Sequence, residues 1–172
     1  MSMEHIKSYS GTDVATIKCE NVFSSKYDVY WFYSEVESTS QYNEVYMLDS
    51  SNARLNDSTD DVHYDIGGYE MKSWDTDSTY NPATTFVGWR ALGGYINNVG
   101  KGMGMGLWVF NPYNSNRYTM VMSQSGNISG SDSFGSKAIG VYKDTAQHNG
   151  IEFTGSGPVS DANIVVEAYG IK

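Results

Sequence analysis

The sequence predicts an all-β chain folded as an antiparallel two-sheet β-sandwich, jelly-roll-like, with about nine strands. Three observations carry this. Apolar residues recur with period two or in short continuous runs, and no stretch shows helical spacing. Fourteen Tyr and abundant Thr favour strands, while eighteen Gly with many Ser and Asn favour the turns between them. Strands at short intervals with no helix between them pair antiparallel, and 172 residues suffice for two packed sheets; a closed barrel is the alternative.

Taken in order, Ala15, Ile17 and Cys19 alternate with polar residues as a half-buried strand. In Tyr27 to Val36, Val29, Trp31 and Tyr33 face one way and Tyr30, Phe32 and Val36 the other, which predicts a central strand covered on both faces. Asn43 to Leu48 continues the pattern, and Asp49-Ser50-Ser51-Asn52 is a turn built from residues that bond their own backbone. Val62, Tyr64 and Ile66 form a strand that Gly67-Gly68 ends, and Trp74 to Thr79 reads as a long loop. Thr84 to Leu92 is a further strand. In Met103 to Phe110 glycine alternates with methionine, so the glycines share one face that a backbone or a large ring can approach. Asn111-Pro112-Tyr113-Asn114 is a tight turn. Tyr118 to Met122, Lys137 to Tyr142, Gly150 to Phe153 and Asn163 to Ile171 complete the set.

No repeat or boundary divides the chain. Residues 1–11 read as an N-terminal arm that can grip a neighbouring subunit, and 12–172 as one sandwich domain. A lone cysteine, Cys19, excludes an internal disulfide and a thiolate zinc cluster, and a core of this size needs neither. A formal charge of −9, with eleven scattered basic residues, argues against nucleic acid and anionic membrane as partners. The polar start lacks a signal peptide's apolar segment, and no apolar run is long enough for a membrane helix, so synthesis in a cytoplasm is expected.

Candidate chemistry is sparse. Asp75 and Asp77 have calcium-loop spacing, but Tyr80 and Phe86 stand where an EF-hand needs Gly and Glu. Asp57, Asp60, Asp61 and Asp65 cluster and could hold calcium between loops; otherwise no cofactor is expected. His5, His63 and His148 are too dispersed for a metal site or a triad, and no acid pair is positioned for glycoside hydrolysis. Gly100-Lys101-Gly102 lacks both the phosphate-loop sequence and the helix that must follow it. Tyr64, Tyr69, Trp74 and Tyr80 flank or occupy the acidic segments and are the expected ligand-binding aromatics, since such rings stack on sugars and suit protein interfaces. Trp31, Trp89 and Trp108 lie within strands and are expected in the core.

Leu107-Trp108-Val109-Phe110-Asn111-Pro112-Tyr113-Asn114, followed by Arg117-Tyr118-Thr119 and Ser123-Gln124-Ser125, resembles a motif of virion proteins from marine, cyanophage-like tailed bacteriophages. Phe23-Ser24-Ser25-Lys26-Tyr27-Asp28-Val29-Tyr30 is similar to that family's early element, Asn149-Gly150-Ile151 to its Asp-Gly-apolar step, and Ala168-Tyr169-Gly170-Ile171-Lys172 to its closing V-Y-G-I-K. Asn149 and Ala168 depart from the pattern mildly. The resemblance implies a β-sandwich on tail fibres, tail structures or capsid surfaces, in multiple copies and without catalytic residues. The expectation is a non-enzymatic virion structural protein on the particle exterior. Its expected partners are other virion proteins and copies of itself, as a homotrimer or larger; a carbohydrate-binding receptor module recognising host-surface glycan is the alternative.

Overall fold

The computed structural model describes residues 2–37, 40–55, 64–72, 75–81, 95–97, 103–129, 132–156 and 162–172. Among them there is no helix. The strands are β1 (Met3–Val14), β2 (Thr16–Cys19), β3 (Val29–Glu37), β4 (Ser40–Leu48), β5 (Tyr64–Lys72), β6 (Asp75–Asn81), β7 (Tyr95–Asn97), β8 (Met103–Phe110), β9 (Thr119–Ser129), β10 (Asp132–Tyr142), β11 (Gly150–Ser156) and β12 (Ala162–Ile171). They form two antiparallel sheets, β1-β12-β3-β8-β9-β10-β5-β6 and β2-β11-β4-β7. The expected all-β, two-sheet architecture is present, and it is a sandwich of unequal layers.

The core lies between the sheets. Tyr30 and Phe32 of β3, Met105, Leu107 and Val109 of β8, Val121 of β9 and Val166 of β12 meet Ile17, Val45, Met47, Ile151 and Phe153 of the smaller sheet. The Phe32 and Phe153 rings touch across the layers, 5.9 Å between centroids. Burying Tyr30 requires a partner for its hydroxyl. It donates to the Ser24 carbonyl (2.9 Å) and accepts from the Ser24 N–H (2.7 Å), which pins the segment ahead of β3.

Three expectations are corrected. Most of residues 1–11 is strand: β1 pairs with β12 from Met3 to Val14, with irregularities at His5/Lys7 and Gly11/Val14, then bends at Ala15 into β2 of the other sheet. Backbone pairing with the final strand holds what its polar sequence suggested was a free arm. The stretch expected as a loop from Trp74 to Thr79 contributes β6, in which Asp75 to Asn81 pair with β5; ladder hydrogen bonds override its poor intrinsic strand preference. Gly67-Gly68 does not end a strand, because β10 pairs across both glycines. The expected strand Thr84 to Leu92 lies outside the described residues.

The turns follow the local chemistry. Asp49 Oδ1 accepts from the N–H groups of Ser51 and Ala53 and from the Ser51 hydroxyl, all within 2.9 Å. Asn111 has a φ of 55°, a left-handed conformation that Asn tolerates better than most residues, and its N–H donates to the Asp28 carbonyl at 2.7 Å. At Gly170 a Cβ would come within 2.5 Å of the Tyr27 ring, so the glycine of Y-G-I-K is where the early F-x-S-x-Y element packs on the last strand.

Two predictions follow from this packing. Gly170→Ala should destabilise the fold by about 1–3 kcal/mol through overpacking, seen as a lower urea midpoint at unchanged m. His148 is fully buried, its ring nitrogens have no hydrogen-bond partner among the described residues, and burial pushes its pKa down to about 4. Because the folded state disfavours the charged ring, stability present above the unfolded value near 6.5 is lost as pH falls towards 4. The loss should reach about 3 kcal/mol relative to His148→Leu, measured by urea unfolding across that window; equal slopes for the two proteins would refute it.

Candidate functional site

Strand alternation assigns each residue of the large sheet to one face, and the smaller sheet covers only one of them. The register then stacks side chains on the outer face into rows running across the strands. One row is His5, Tyr169, Trp31, Trp108, Met122 and Ile139, each directly opposite the next from β1 to β10. The adjacent row is Met3, Ile171, Val29, Phe110, Met120 and Val141. Met120 and Met122 are each 44% exposed and Ile139 56%, while Trp31, Trp108, Phe110 and Tyr169 are half-buried. Large contiguous apolar patches of this kind are uncommon on solvated monomers and mark binding surfaces.

The aromatic half is a connected stack. Trp31 lies 5.3 Å from Tyr169 and 6.4 Å from both Trp108 and Tyr33, and His5 sits edge-on to Tyr169 at 5.2 Å. The rings lie beside the glycines of β8: the Trp31 indole comes within 3.4 Å of where a Gly106 Cβ would stand, and the Tyr33 hydroxyl within 3.8 Å of where a Gly104 Cβ would stand, both ordinary contact distances. The sequence expectation that a large ring would approach this glycine face therefore holds. Trp31 and Trp108, expected in the core, instead line the outer face, and among the described residues β3 is covered on one side only.

Two further rows border the patch. Ser8, Glu167, Tyr33, Gly106, Gln124 and Lys137 form the third, and Ser10, Val165, Glu35, Gly104, Gly126 and Gly135 the fourth. Glu167 accepts from the Ser8 hydroxyl (2.6 Å) and pairs with His5 (2.8 Å). Those two hydrogen bonds hold its carboxyl below the usual range. Acid thus sits on the β12 side of the patch and Lys137 on the β10 side.

Backbone register carries the third row from Lys137 on to Tyr69 of β5 and Tyr80 of β6, and the second row from Val141 on to Asp65 of β5, so part of the predicted set borders this patch. Tyr64 and Tyr69 are in β5, and Tyr80, Asp75 and Asp77 in β6, with Tyr69 opposite Tyr80; their side chains are outside the described set, as is that of Asp65 in β5. Asp57, Asp60, Asp61 and Trp74 lie outside the described residues. Among the described residues no three His, Cys, Asp or Glu side chains converge as a metal-binding group.

A second cluster was not legible in the sequence. Glu152 of β11 is 1% exposed on the outer side of the smaller sheet, paired with Arg54 and 3.9 Å from Lys18. The Arg54 guanidinium also lies 4.1 Å from the Tyr46 ring centroid. Two cations around one buried carboxylate make a structural clamp that fastens the segment after β4 onto the sheet. Nothing in the alternation Ile151-Glu152-Phe153 separates this acid from a solvated one.

The chain matches no family model, and no curated protein and no solved structure was found to match it.

Removing Arg54 leaves the buried Glu152 carboxylate with only the longer contact to Lys18, 3.9 Å away. Arg54→Met should cost about 3 kcal/mol, and adding Glu152→Met should recover most of it. Urea unfolding of the two variants and the wild type measures the coupling.

Proposed function

We propose that the chain is a non-enzymatic structural subunit of a bacteriophage particle, exposed on the tail or capsid and attached through the outer face of its large sheet. The observation that carries this reading is the pair of apolar rows across β1, β12, β3, β8, β9 and β10, in which Met3, Met120, Met122 and Ile139 are exposed and the aromatic residues half-buried. Interfaces of permanent assemblies resemble a domain core cut in half, and a Trp, Phe and Met surface of this extent has that character. The likeness of the F-N-P-Y and Y-G-I-K segments to virion proteins of marine tailed phages supports the choice of particle. Other virion proteins and further copies of the chain are its proposed partners.

The half-exposed stack of Trp31, Trp108, Tyr33 and Tyr169 favours one second reading, a platform on which the rings of host-surface sugars stack. A glycan array probed with and without calcium tests it, and uniform absence of binding rejects it.

Under the structural reading, mass spectrometry of purified particles should recover the chain at a fixed copy number. Met122→Glu should reduce its incorporation at least about tenfold by burying an unpaired charge in the contact. Absence from particles, or undiminished incorporation of Met122→Glu, would overturn the reading.

A further inference from the structure

The outer face also carries a pattern that selects its occupant. In the first row the aromatic side chains lie on β12, β3 and β8 and the aliphatic Met122 and Ile139 on β9 and β10, and no row carries an aromatic on β9 or β10, so the two halves differ in shape and chemistry around β8. The charged groups of the third row are split the same way, with Glu167 two strands to one side of β8 and Lys137 two strands to the other.

We propose that this face is covered by a second copy of the chain, the two large sheets packing face to face about a two-fold axis that runs along β8. Rotation about such an axis keeps a residue's row and exchanges the strands on either side of β8. Tyr169 then lies over Ile139 of the second copy, Trp31 over Met122, and Trp108 over Trp108. Thioether against indole is a favourable contact, and methionine adapts to an irregular aromatic surface. In the third row Glu167 lies over Lys137 of the second copy, and the contact occurs twice by symmetry. In the fourth row Glu35 lies over Gly126 and meets no like charge. The strands of the two copies run nearly parallel, as in aligned sheet packing.

The area is sufficient. Five strands about 4.8 Å apart and four rows about 6.7 Å apart give a contact of roughly 650 Å² per copy. The total of about 1,300 Å² falls within the range of specific interfaces, roughly 1,200–2,000 Å².

The inference rests on reading the outer face as an assembly surface, and the test separates the two. Sedimentation equilibrium of the whole chain at up to about 100 µM should show a dimer. Lys137→Glu and Glu167→Lys each convert two attractive contacts into repulsive ones, and each alone should weaken dimerisation about tenfold or more. Mixed in equal amounts, the two variants regain both opposite-charge contacts and should recover the dimer, while circular dichroism reports that each remains folded. A monomeric wild type, reversals without effect, or a mixture that stays monomeric overturns the proposal. If the wild type is monomeric while Met122→Glu still blocks incorporation into particles, a different partner occupies the face and only the second copy is rejected. If Met122→Glu is incorporated normally, the assembly reading falls as well.

Discussion

The pairing of β3 between β12 and β8 is the constraint on which the rest depends. Its alternation sends Tyr30, Phe32, Ser34 and Val36 into the sandwich, where all are buried, and leaves Val29, Trp31 and Tyr33 on the far side. A four-stranded sheet covers one face of the eight-stranded one. Large residues on both faces of a central strand therefore produce a dry core and an uncovered aromatic surface together. Tyr30 and Trp31 occupy adjacent positions and have opposite fates for that reason alone.

Asparagines hold together the loops at one end of the sandwich. Asn21 and Asn52 both adopt left-handed backbone conformations, with φ of 55° and 61°. The Asn149 side-chain amide donates to both, at 2.7 Å to Asn21 Oδ1 and 2.9 Å to Asn52 Oδ1. Its backbone N–H donates to the Leu48 carbonyl, and its own carbonyl accepts from the Phe23 N–H. An aspartate at position 149 would have no side-chain donor for the two acceptor oxygens. Asparagine at position 149 is thus matched by two asparagine side-chain carbonyls that require an amide.

The fold class was legible because period-two patterning and turn chemistry are local. Asp49 to Asn52 turns as its residues dictate, and Gly104 and Gly106 share the face on which the Tyr33 and Trp31 rings lie, as their alternation implies. What was not legible depends on pairing between distant segments. β1 reads as polar and is a strand because β12 supplies its hydrogen bonds. The outer face is equally hidden, since Tyr169, Trp31, Trp108, Met122 and Ile139 come from five separate strands and align only through register. Burial statistics sent Trp31 and Trp108 to the core because they count residue types and carry no information about which sheet face has a cover.

A sheet with an open edge and an open face can associate through either, and this chain discourages the edge. β1 is broken by two irregularities that disrupt its ladder, and it carries Lys7 along the edge, both devices that oppose strand addition. Glu4 is occupied as well: it pairs with Lys26 at 2.6 Å and with Lys172 at 3.7 Å, and hydrogen bonds from Lys26 and Tyr27 hold its carboxyl down to about 2. Pairing at both edges, β1 and β6, would extend the sheet from copy to copy, whereas a two-fold contact on the face is saturated by one partner. An acidic chain that breaks up its β1 edge while leaving Trp, Phe and Met in register on its face fits association across that face, as the proposed contact about β8 requires.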